Sequence, residues 1–285
     1  MRHGTVPSNG RSEEDIRMKP SNYSVYLQTI RQRTRRSGAT VLSSFIDAID
    51  WDQALARLAT WARMRESRYV CLCNVHSVVT ADQDPKFHEV ISGADMALPD
   101  GAPVAWVLQN SGFPEQQRIN GPDLMWRYMK VAEELGQSVF FYGSCEETLT
   151  PLRKAISKHF PTLRIAGMIS PPFGDVSAEM DQAHVDAINH SGAHVLFVGL
   201  GCPKQEAWMA SHKGRIHSVM LGVGAAFDYH AGTLRRAPVW MQNNGMEWAY
   251  RLACEPRRLF KRYLLTNSAF VWKQTLRWTT SSRKL

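Results

Sequence analysis

The sequence predicts an α/β fold: a Rossmann-like, mainly parallel sheet with helices on both faces, extended by a helical C-terminal appendage. Three observations carry that expectation. Short apolar runs such as "RYVCLCNV", "SVFFYGS" and "AHVLFVGLG" are too continuous to be half-solvated strands. They alternate with longer segments of helical periodicity. The 285 residues are ample for one large domain with a buried core.

Taken in order, residues 1–40 are polar and contain the basic run "RQRTRR", which predicts a disordered tail. Order is expected from "ATVLSSFIDAI", read as a strand. "WDQALARLATWARMRES" follows with helical spacing and Asp50 or Asp52 as N-cap. "RYVCLCNV" reads as a buried strand, "HSVVTADQDPKFHEVISG" as helical, and "ADMALPDG" as a strand ending at Asp100. "APVAWVLQNSG" and "GPDLMWRYMKVAEELG" read as helices, the second with Pro122 in its first turn and Gly136 as its stop. "SVFFYGS", "LRIAGMIS", "AHVLFVGLG" and "HSVMLGVGAAFD" complete the strands. Between them lie the helices "EETLTPLRKAISKHF", "SAEMDQAHVDAINHSG" (capped by Ser177) and "PKQEAWMASHKG". The remainder reads as helical, broken near Pro256. The expected organisation is therefore a tail over 1–40, an α/β domain over 41–245 and a basic amphipathic appendage over 246–285.

Charge narrows the function. Residues 1–40 carry eight basic and three acidic residues, and 235–285 carry eleven and two, whereas 41–234 carry fifteen and twenty-one. An acidic core with basic ends is unlike a nucleic-acid-binding domain and fits a protein whose ends meet an anionic surface. No apolar run is long enough to span a bilayer, and the N-terminus lacks a signal-peptide core. The five cysteines, an odd number without a CxxC pair, point to reduced thiols rather than zinc or disulfides. His76, His212 and His230 stand singly, without ligand spacing, and read as structural.

In an open parallel sheet, ligands bind beyond the carboxyl ends of the strands. Four such ends carry candidates: Asn74, Asp100–Gly101, Gly143–Ser144 and Gly199–Leu200–Gly201. The last two resemble glycine turns that receive phosphate at a helix N-terminus. "GLGCPKQE" is not a dinucleotide fingerprint, because Lys204 replaces its third glycine and no ribose-binding acid follows at the right spacing. That argues against a dehydrogenase. Lys204, Gln205 and Glu206 fall in a helical first turn, where a lysine is disfavoured by the helix dipole unless an anion lies beside it. Asp100 is the candidate base: a lone carboxylate between "MALP" and "APVAWVL", where partial burial would raise its pKa. The alternative is a turn-forming aspartate. Neither a paired carboxylate nor a DxD metal motif accompanies it. Arg251, Arg257, Arg258, Lys261 and Arg262 gather in "EWAYRLACEPRRLFKRYLL", with Leu259, Phe260, Tyr263 and Leu264 expected on the opposite helix face. Trp272 and Trp278 follow, as in interfacial helices.

From about Ser43 to Arg262 the chain resembles the WecG/TagA/CpsF glycosyltransferase family. Seven ordered motifs carry the likeness: "NVHSVVTADQDP", "LPDGAPVAW", "RINGPDLMW", "FFYGS", "VGLGCPKQEAWM", "GVGAAFDYHAGTLRRAPVW" and "EWAYRLACEPRRLFKRY". The resemblance implies an inverting, metal-independent enzyme without cofactor, passing a sugar from UDP to a polyprenyl-diphosphate-linked sugar. It would work at the cytoplasmic face of the inner membrane, as a peripheral protein and a homo-oligomer. It implies that Asp100 is the base and that Asn74, Arg118 and Gln205 line the donor and acceptor pocket. Gly101, Asn120, Gly143, Gly199, Gly201, Lys204, Glu206 and Asp228 join that substrate-binding set. Arg251, Arg257, Arg258, Lys261 and Arg262 would reach lipid diphosphate and membrane. The chain departs from the pattern at Leu72, where many members have threonine. The wording "NVHSVV" is similar to an exopolysaccharide branch, so UDP-glucose is the expected donor. UDP-N-acetylmannosamine or its uronic acid, for teichoic-acid or enterobacterial-common-antigen-type glycans, is the alternative. A remoter alternative is a non-catalytic nucleotide-binding membrane adaptor.

Overall fold

The computed structural model describes residues 36–281, so the expectation of a disordered tail falls mostly outside the described residues. The first element is a hairpin and not a single strand: β1 (Gly38–Val41) pairs antiparallel with β2 (Ser44–Asp47). The turn is made by Leu42, whose φ is 53°. Asp47 clips the hairpin to the rest of the fold. Its buried carboxylate takes two hydrogen bonds from Arg36, at 2.8 and 2.6 Å, and one from the Ala97 amide at 2.7 Å. A buried carboxylate is tolerated where donors surround it, and here they join the hairpin to the strand that ends at Asp100.

Six strands form the main sheet: β3 (Arg68–Cys73), β4 (Met96–Pro99), β5 (Ser138–Gly143), β6 (Arg164–Ile169), β7 (Val195–Gly199) and β8 (Val219–Gly222). Their order is β4-β3-β8-β7-β5-β6, and every pairing is parallel. The continuous apolar runs follow from burial on both faces. β4, β5 and β8 are buried throughout, whereas the edge strand β6 is only half-buried. Phe141 stacks on Phe197 at 5.4 Å and meets Phe227 edge-on at 5.6 Å, which fixes the centre of one face.

The helices are α1 (Trp51–Arg63), α2 (Val75–Gln83), α3 (Pro85–Ser92), α4 (Ala102–Gln109), α5 (Gly121–Glu134), α6 (Glu146–His159), α7 (Ala178–His190), α8 (Lys204–His212), α9 (Ala226–Ala231), α10 (Val239–Asn243), α11 (Glu247–Cys254) and α12 (Pro256–Ser281). The stretch read as helical from His76 divides into two helices. Pro85 cannot continue the first, and Asp84 ends it and caps the second through the Lys86 amide at 2.9 Å. Asp50 and Ser177 cap α1 and α7. The break expected near Pro256 is present: α11 ends at Cys254, and Pro256 opens α12.

The faces of α12 differ from the expected ones. Leu259, Phe270 and Gln274 turn inward, and Lys273 ion-pairs with Asp82 of α2. Phe260, Leu264, Leu265, Val271 and Trp272 are exposed. At 100° per residue they share the outward face with Arg257 and Lys261, so that face is mixed basic and apolar. Segregation fails because Leu259 and Phe270, not Phe260 and Leu264, are the residues that pack on the domain.

Gly143 ends β5 with φ 121°, and a Cβ there would lie 2.6 Å from the Gly199 carbonyl oxygen. Gly143→Ala is therefore expected to destabilise the protein by roughly 1–3 kcal/mol. A urea melt checks this, with an unchanged midpoint as the contrary result.

Candidate active site

β3 delivers Asn74 at the N-terminus of α2. Its Oδ1 accepts from the Ser77 amide at 3.2 Å, while its own amide donates to Ser77 Oγ at 2.7 Å. This capping box uses the side-chain oxygen, so the Nδ2 is the group left to face outward. It donates to Asp100 Oδ2 at 3.4 Å. Asp100 follows β4 beside β3, its amide donating to the Cys73 carbonyl at 3.0 Å. Burial raises the Asp100 carboxyl above its ordinary value. Arg118, the Asn74 hydrogen bond and Arg251 pull it down, and Glu247 pushes it up. The net direction is upward, as expected of a base held at the rim of a covered site. Gly101 needs no unusual backbone angle (φ −88°) and lies against the Asn74 side chain.

Arg118 connects this carboxylate to the C-terminal segment. Its Nε donates to the Asp100 carbonyl at 2.5 Å, and its Nη2 pairs with Glu247 Oε2 at 2.5 Å. Arg236 lies on the other side of Glu247, with Nε 3.5 Å from Oε1. It holds Asp123 through both terminal nitrogens and reaches Asn120 Oδ1 at 3.2 Å. Asn120 caps α5 through the Asp123 amide. Arg251 adds a third half-buried cation, 5.9 Å from the centre of the Tyr229 ring. The Tyr229 hydroxyl, pushed up to about 12 chiefly by burial, stays protonated. His76 of α2 is pushed down to about 4 by burial and by Arg262, so it is neutral at physiological pH. Arg118, Arg251 and Arg262 are thus the cations turned toward the ends of β3 and β4.

The other sequence candidates divide. Gln205 is buried in α8: its Oε1 accepts from the Gly224 amide at 3.0 Å and its Nε2 donates to Glu206 at 2.9 Å, tying α8 to the loop after β8. Glu206 is fully buried beneath the site, where burial raises its carboxyl and one oxygen has no hydrogen-bond partner. Lys204 is exposed and donates to the Gly174 carbonyl at 2.9 Å, so a neutral oxygen accounts for its position without an anion. Gly143 and Gly199 are occupied with each other's backbone, and Gly199 also takes the Phe227 ring; this packing explains them as strand ends that must approach closely. Gly201 has φ 78° with open space beyond it. Asp228 accepts from Thr148 at 3.2 Å and joins α9 to α6. Arg257, Arg258 and Lys261 point outward on α12, with Arg258 paired to Glu255 at 2.6 Å. His212 and His230 are held by Asp181 and by the Pro122 carbonyl.

Sequence reasoning missed Arg236, Asp123 and Glu247. Arg236 and Asp123 lie 113 positions apart, and no local pattern joins them. Glu247 did carry a signal, because it and Glu255 are the two acids in the basic stretch 235–285. Among the described residues, no group of three or more His, Cys, Asp and Glu could hold a metal ion. No described helix is long and apolar enough to cross a membrane.

Removing the Asn74 cap is expected to cost about 1 kcal/mol in Asn74→Ala. Asn74→Ser, which can still cap α2, should recover most of it in the same denaturation series. Equal stability of all three proteins would contradict the capping role.

Comparison with known proteins gives the family. The profile described as "Glycosyl transferase WecG/TagA/CpsF family" matches residues 39–284. The N-acetylglucosaminyldiphosphoundecaprenol N-acetyl-beta-D-mannosaminyltransferase of Bacillus spizizenii (strain ATCC 23059 / NRRL B-14472 / W23) is 29% identical over 218 residues, covering 76% of this chain and 80% of that protein. The chain belongs to the WecG/TagA/CpsF family and is a glycosyltransferase.

Proposed function

We propose that this chain transfers N-acetylmannosamine from UDP to a polyprenyl-diphosphate-linked sugar, with inversion, using Asp100 as the single general base. The observation that carries the reading is the Asp100 carboxyl itself: raised by burial, fixed by Asn74 and faced by Arg118 and Arg251. The acceptor hydroxyl gives its proton to Asp100. Its oxygen forms the new bond to the anomeric carbon as the bond from that carbon to UDP breaks. UDP leaves with the electron pair. Charge developing on the diphosphate is offset by arginines, whose planar donors suit phosphate oxygens.

The donor is where the comparison changes the expectation. Glucose rested on the wording of one motif. The Bacillus spizizenii relative, matched over most of both chains, is named for N-acetylmannosamine transfer onto an N-acetylglucosaminyl-diphosphate lipid. That supports the alternative donor. It also supports a lipid-linked acceptor, for which α12 is suited: its outward face carries Arg257 and Lys261 among Leu264, Leu265 and Trp272, the last 68% exposed. Each basic residue near an anionic surface adds about 1 kcal/mol of attraction. The reading therefore places the enzyme peripherally on the cytoplasmic leaflet.

The test is a donor and acceptor matrix with the full chain in the presence of EDTA. UDP-N-acetylmannosamine, its uronic acid and UDP-glucose are each offered with polyprenyl-diphosphate-N-acetylglucosamine and polyprenyl-diphosphate-glucose. Turnover with UDP-N-acetylmannosamine and the N-acetylglucosamine lipid is expected. Turnover only with UDP-glucose would return the donor to the exopolysaccharide reading, and activity only after metal is restored would overturn the metal-free chemistry.

A further inference from the structure

Glu247 opens α11, 8% exposed, and its two oxygens divide between two arginines. Oε2 accepts from Arg118, and Oε1 faces Arg236. The other side of Arg118 is fixed on the Asp100 carbonyl, and the other side of Arg236 on Asp123. A continuous line thus runs from the main chain of Asp100 through Arg118, Glu247 and Arg236 to Asp123 at the start of α5. The Arg118 guanidinium sits near the Asp100 carboxylate, yet its Nε is held by a carbonyl and its Nη2 by Glu247. Freed from Glu247, it would be drawn to the Asp100 carboxylate, the other anion that acts on it.

We propose that Glu247 is a positioning residue for the transfer, holding Arg118 on the Asp100 main chain and off its carboxylate, so that the base stays fixed and basic. The inference rests on the reading of Asp100 as base. The groups facing Asp100 oppose one another in sign. Arg118 comes from the segment before α5, Arg251 and Glu247 come from α11, Asn74 from the cap of α2, and Glu206 from α8. Among them, Glu247 raises the Asp100 carboxyl while both arginines lower it. Loss of the Glu247 charge and release of Arg118 would act in the same direction, making Asp100 a stronger acid and a weaker base.

The experiment compares wild type, Glu247→Gln and Glu247→Asp by two readouts. One is the pH–rate profile of the transfer. The other is the titration of the Asp100 carboxyl carbon by NMR in protein labelled at aspartate, assigned with Asp100→Asn. In Glu247→Gln the Asp100 titration is expected to move to lower pH, the acid limb of the rate profile to move with it, and the plateau rate to fall about 10-fold, as for a weakened base. Glu247→Asp, which keeps the charge, should return most of the rate. A merely structural role would lower the rate and leave the titration where it was. An unmoved Asp100 titration in Glu247→Gln overturns the proposal, whatever the rate. If the titration moves and the rate profile does not follow, the placement of Glu247 stands and the reading of Asp100 as base falls. Should Glu247→Gln fail to fold, Glu247→Gln with Arg236→Gln removes the stranded cation and reads the same titration.

Discussion

A carboxyl group that must be both buried and ionisable dictates the arrangement around it. Burial alone would keep Asp100 protonated, and a direct arginine clamp would ionise it but leave it a poor base. The protein takes a middle course. Asn74 contributes one long hydrogen bond, and Arg118 and Arg251 stand nearby. Arg118 spends its strongest contacts on a main-chain oxygen and on Glu247. The carboxyl therefore remains above its ordinary value while its ionised form has cations within reach.

That compromise makes the C-terminal segment part of the site. Glu247 and Arg251 belong to α11, whereas Asp100, Arg118 and Arg236 precede it, so the electrostatics of the base are complete only once α11 is docked. α12 then runs on across α2, held by Leu259, Phe270 and the Lys273–Asp82 pair. Burial keeps His76 neutral, and Arg262 nearby acts in the same direction. The helix that presents Trp272 and Lys261 outward is thus continuous with the residues that set the charge at the end of β4. In the reading proposed, contact with a lipid-borne acceptor and preparation of the base are functions of one connected element.

Much of this was legible from residue patterns. Doubly buried strands announced themselves as unbroken apolar runs, and βαβ alternation led to a parallel sheet with its site at the carboxyl ends. Asp100 stood out as a lone acid between apolar flanks, and Asn74 as a strand-end residue, whereas its role as the cap of α2 came only with the structure. What stayed hidden was long-range or one-sided. Leu42 in a left-handed turn made a hairpin of an apparent strand. The glycines after β5 and β7 looked like phosphate turns because close backbone packing selects the same residue. Which apolar residues of α12 face inward depends on where α2 lies, a tertiary fact that periodicity cannot contain. The Arg236–Asp123 pair joins segments with no local signature.

The central claim is that one carboxylate does the proton transfer. Its most direct test is single-turnover transfer by Asp100→Asn, in full-length protein whose melting midpoint and UDP affinity match wild type. The account predicts a rate lower by about 10²–10⁴-fold with donor binding intact. Turnover within a few-fold of wild type would contradict it and require another group to take the acceptor's proton.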